Sequence, residues 1–136
     1  MSGTAPNPMR GVRWFAIVPA AILTWYVVLV LAMQLTTLAT TWCPPEAMIS
    51  QFCAANWFPA VQRAIILSCA GLAGFGVVYV AASVAPAERV LVACAIFFAG
   101  ALVAVVMVIE TRAVAEFVIA ISGGLTAIYA ARRFLT

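Results

Sequence analysis

The sequence predicts an all-α integral membrane protein: four transmembrane helices in an up-and-down bundle, both termini cytoplasmic, with a disulfide-stapled outer loop between helices 1 and 2. Three observations carry this reading. The first is composition. Of 136 residues 67% are hydrophobic, and only seven arginines and four glutamates carry charge. That is 8% charged, where a soluble domain has about 25%. The second is spacing. Arg and Glu are absent from 14–45, 64–87, 90–109 and 117–131, runs of 32, 24, 20 and 15 residues. About 20 apolar residues cross a 30 Å hydrocarbon core as a helix, so four spans fit and five do not. The third is sidedness. With the N-terminus inside, Arg10, Arg13, Arg89, Arg132 and Arg133 are cytoplasmic and only Arg63 and Arg112 are outside, which is the bias that sets threading.

The elements follow as one four-helix domain over residues 1–136. A cytoplasmic tail covers 1–13, and helices cover 14–33, 61–84, 90–109 and 113–131. A periplasmic or extracellular loop covers 34–60. The runs are continuous rather than alternating, which excludes a barrel. The first run has 20 or more apolar residues, too long for the usual core of a cleaved signal peptide. Ser2 to Pro8 reads as a disordered tail. Pro19 predicts a kink in the first helix, and Trp25 and Tyr26 fall near its mid-depth. Trp14, Phe15, Trp42, Trp57, Phe58, Tyr79, Tyr129 and Phe134 fall near the expected water boundaries, as aromatic belts do.

The links differ in kind. Ala85-Pro86-Ala87-Glu88-Arg89 and Glu110-Thr111-Arg112 are short and make helices 2, 3 and 4 a compact antiparallel series. The first link is the only sizeable region outside the membrane. Pro44-Pro45 stops the preceding helix, and Glu46 to Phe58 reads as a short surface helix with Met48, Ile49, Phe52 and Cys53 turned to lipid or the bundle.

Cys43 and Cys53 share this loop. A bridge between them stabilises it by about 2 to 3 kcal/mol on the chain-entropy argument. A redox pair needs closer spacing and a lowered thiol pKa, so the expected role is a structural staple in an oxidising periplasm. Cys69 and Cys94 differ in depth by roughly 10 Å along their helices, too far to bridge.

Arg63, Glu110, Arg112 and Glu116 are all expected at the outer edge. An ionisable group in a span is a candidate proton or cation site, but these four sum to zero charge and Glu116 lies only about one turn from the loop. An interfacial ion-pair cluster is therefore the expectation. Small residues at four-residue spacing mark helix-packing faces: Ala70 and Gly74 in the second span, Gly123, Ala127 and Ala131 in the fourth, with Ala95, Ala99, Gly100 and Ala104 in the third. Gly71-Leu72-Ala73-Gly74-Phe75-Gly76 follows no strand and is not a nucleotide-binding loop.

Function is far less legible. The chain lacks His, Lys and Asp, and no catalytic, metal or cofactor-binding set is expected. The first span holds no carboxylate and the chain no Cys-x-x-Cys. Carboxylate-driven small multidrug transporters and quinone-coupled thiol enzymes are thus not resembled. A net charge of +3 spread over membrane boundaries makes no nucleic-acid patch. The expected partners are the lipid bilayer and other membrane subunits, or further copies of the chain. The leading reading is a non-catalytic accessory, assembly or scaffold subunit of a larger complex in a bacterial inner membrane. The alternative is a small oligomeric transporter or channel using Glu116 and Arg63, with Trp25, Tyr26 and Ser68 lining the path. An enzyme on lipid or quinone comes third, because its catalytic residues would have to be the same outer-edge charges.

Overall fold

A computed structural model describes residues 8–135, with side chains from Gly11 onward. The tail read over residues 2–8 lies, except for Pro8, outside them. Four long helices dominate: α1 (Pro8–Thr41), α2 (Phe58–Val84), α3 (Arg89–Thr111) and α4 (Val114–Phe134). All four are long and apolar enough to cross a membrane. Between α1 and α2 a 3₁₀ turn (Pro45–Ala47) leads into a small hairpin, β1 (Met48–Ile49) and β2 (Phe52–Cys53). The bundle therefore has a hairpin end and an opposite, terminal end where α1 starts, α4 ends and the α2–α3 link lies.

Helix α1 exceeds the expected 14–33. Its 34 residues span roughly 51 Å at 1.5 Å per residue, and it stays helical on both sides of Pro19. Threonines populate the extra turns. Thr36 and Thr37 donate to the carbonyls of Ala32 and Met33, and Thr40 and Thr41 to those of Thr37 and Leu38. Such back-bonding keeps the hydroxyls satisfied on a helix leaving the apolar core. Pro44 and Pro45 then end it.

The expected surface helix over 46–58 does not form. Met48 pairs with Cys53 and Ile49 with Phe52 in an antiparallel hairpin, and the two residues between, Ser50 and Gln51, have φ of 48° and 71°. Two positive φ values in a two-residue turn are the pattern that matches the twist of a hairpin. A further bond from the Ala54 N–H to the Ala47 carbonyl closes its base at 2.8 Å. Cys53 is buried, whereas Met48, Ile49 and Phe52 are exposed. The bridge to Cys43 selects the hairpin: its Cα atoms must lie within about 7 Å, and they are 5.9 Å apart.

Helix α2 is the hub. It packs most extensively on α4, then on α1, and with α4 it holds α3. The buried core lies toward the terminal end. Val78 and Ala82 of α2, Ala93 of α3, and Ala127 and Ala131 of α4 form one cluster. Ile17 of α1, Ala81, Ala85 and Val92 form a second, and Ile96 packs against both. Most of these are alanines with no exposed surface, so the helices approach backbone to backbone there. Toward the hairpin end α3 opens out. Leu102, Val103, Val106 and Ile109 are all exposed.

Candidate functional site: packing faces, a charged rim and a bridged cap

Among the described glycines, those at the α2–α4 crossing have the least room. A Cβ on Gly74 would overlap the Ala120 carbonyl, and one on Gly123 would overlap that of Gly71. These two helices run in the same direction, so small residues let parallel backbones touch over several turns. Gly74, Gly123 and Ala127 thus sit at the crossing or in the core beside it, and Ala70 is half-buried one turn nearer the hairpin end. Three participants were not marked from sequence. Gly71 meets Ile119, Ala120 faces Gly74, and Gly124 seats the Phe97 ring of α3, which a Cβ would approach to 2.6 Å. The Gly123-Gly124 doublet was the available signal, since a second glycine beside a packing glycine points to a third helix.

The small residues of α3 behave differently. Ala95, Ala99 and Gly100 are exposed, and a Cβ on Gly100 meets nothing within 4 Å. Among the described residues these three lie mostly outside the packed faces, while Ala104 is half-buried.

Arg63 lies in the second turn of α2, Glu110 near the end of α3, Arg112 in the link after it and Glu116 in the first turn of α4. All four share the hairpin end. Arg63, Glu110 and Arg112 are exposed and Glu116 is half-buried, yet among the described residues none forms an ion pair within 4.0 Å. The expected ion-pair cluster is therefore a rim of separate charges. Exposed pairs gain little over hydration and cost side-chain entropy, so nothing compels these side chains to meet. Arg112 also has φ of 57°, and as the residue capping α3 it turns the chain within two residues into α4.

Cys43 and Cys53 are bridged, with sulfurs 2.06 Å apart, while Cys69 and Cys94 are free. Beside the bridge, Leu35, Leu38, Ala39 and Trp42 of the α1 side face Trp57 and Val61 across an open crevice of about 420 Å³. It is apolar throughout and contains none of the rim charges. At the other end Arg89 is a tie. Its Nη1 donates to the Leu135 carbonyl at 3.1 Å and its Nε to that of Ala85 at 3.4 Å. The start of α3 is thereby bound to the ends of α2 and α4.

Trp25, Tyr26 and Ser68 face outward rather than into a shared path. Among the described residues no group of three or more His, Cys, Asp or Glu comes together to hold a metal ion. Helix lengths, apolar surface and the bridged cap define the class: a multi-pass membrane protein with a disulfide-closed cap. No family model, curated protein or solved structure matches the chain.

Proposed function

We propose that the chain is a non-catalytic accessory, assembly or scaffold subunit of a larger complex in a bacterial inner membrane. In this reading both termini and the α2–α3 link are cytoplasmic, and the bridged hairpin stands in the periplasm. The arginine bias supports that threading, and the disulfide suits an oxidising compartment. One observation carries the functional reading. Helix α1 packs substantially against α2 alone, and the hairpin-side half of α3 is open on most of its surface. A bundle that packs one helix against a single neighbour and leaves half of another open offers its apolar faces to partners.

The transporter alternative draws no support from the crevice, which holds neither Glu116 nor Arg63. Purification in mild detergent tests the proposal. A second membrane protein at fixed stoichiometry is the expected result. A chain that purifies with no other protein, together with a flux abolished by Glu116→Gln, would overturn it in favour of transport.

A further inference from the structure

Trp25 and Tyr26 lie at mid-length in α1 and are 53% and 57% exposed. Among the described residues neither the indole N–H nor the phenol O–H finds an acceptor. Hydrocarbon supplies none, and buried Trp and Tyr normally find one. Helix α4 presents the complement. Ser122 and Thr126 are exposed one turn apart, and their hydroxyl protons are already committed. Ser122 donates to the Ile119 carbonyl at 2.8 Å, and Thr126 to those of Ser122 and Gly123 at 2.7 and 2.9 Å. Both oxygens keep acceptor lone pairs.

The depths agree. Thr24 is level with Gly76, 3.1 Å from where its Cβ would stand, and Gly123 is level with the stretch between Gly71 and Phe75. At 1.5 Å per residue Ser122 lies about 3 Å to the hairpin side of Tyr26, and Thr126 about 3 Å to the terminal side. Within one chain α1 and α4 both pack on α2 and not substantially on each other, so these donors and acceptors do not meet. A second copy threaded the same way brings them together at the same depth.

We infer that α1 of one copy docks antiparallel on α4 of a second copy. Tyr26 donates to the Ser122 hydroxyl and Trp25 to that of Thr126, while Ile22 packs against Leu125 and Leu29 against Val118. The contact joins unlike faces, so every copy has one of each free for the next, and the assembly is a ring or a row. This deepens the partner reading above by making one of the partners the chain itself.

The test places Tyr26→Cys and Ser122→Cys on separate chains, both carrying Cys69→Ala and Cys94→Ala, co-expressed in one membrane and oxidised. A mixed disulfide dimer is expected, with at least about tenfold less dimer from either variant alone, because an α1-on-α4 contact does not bring two like cysteines within bridging distance. No mixed dimer, or equal dimer from Tyr26→Cys alone, overturns the inference, as does a cross-link from Tyr26→Cys only to a different protein. Native mass spectrometry of the doubly substituted Trp25→Phe, Tyr26→Phe chain gives the second reading, where oligomer unchanged from the parent also overturns it. Both measurements count copies of this chain, so they can fail while a foreign subunit still co-purifies, and the reverse.

Discussion

Gly74 and Gly123 have no room for a β-carbon, whereas Gly100 looks into open space. Gly74→Ala or Gly123→Ala should therefore force α2 and α4 apart and cost about 1 to 3 kcal/mol, as overpacking does. Gly100→Ala should leave thermal stability in detergent within about 0.5 kcal/mol of the parent or raise it, because alanine is the better helix former. Arg89 acts at the other end. Losing its bonds to Ala85 and Leu135 in Arg89→Ala should destabilise by about 1.5 to 3 kcal/mol, the range for charge-assisted bonds, with Arg89→Lys recovering part. Residue-level chemistry was half legible. Four-residue spacing found Gly74 and Gly123, but spacing cannot tell a face used within the chain from one left open, and Gly100 carries the same signal as Gly74.

The connection between α1 and α2 shows why some elements escaped the sequence. Helices announce themselves through long charge-free runs, and all four were legible on that ground. Two-residue strands have no period to detect. Ser50-Gln51 is also not among the dipeptides that favour positive φ, so the i, i+1, i+4 spacing of Met48, Ile49 and Phe52 read as one face of a helix. Only the Cys43–Cys53 bridge was predictable, because two cysteines on a loop expected to face an oxidising compartment are expected to pair. Removing it by Cys43→Ala with Cys53→Ala should lower stability by about 2 to 3 kcal/mol, measured by thermal unfolding. It should also make the 42–57 segment the first site of proteolysis.

At the scale of the whole molecule the eleven charges bear on the proposed threading and on little else. Seven of the 136 positions are arginine and four glutamate. The structure sets Arg63, Glu110, Arg112 and Glu116 at the hairpin end without pairing them. Their common level was legible from helix lengths. Their separation was not, since it depends on rotamers and tilt. The uneven core was not legible either. Each helix is apolar all round, so no stripe tells which side will be buried. Sidedness is the claim on which the cap and the partner faces all depend, and labelling with a membrane-impermeant maleimide tests it most directly. In chains carrying Cys69→Ala and Cys94→Ala, Ser50→Cys at the hairpin tip should react from the outside of intact cells. Glu88→Cys in the α2–α3 link and Arg133→Cys near the end of α4 should react only after the cells are opened. Reaction of Ser50→Cys and Glu88→Cys from the same side would contradict the four-span threading.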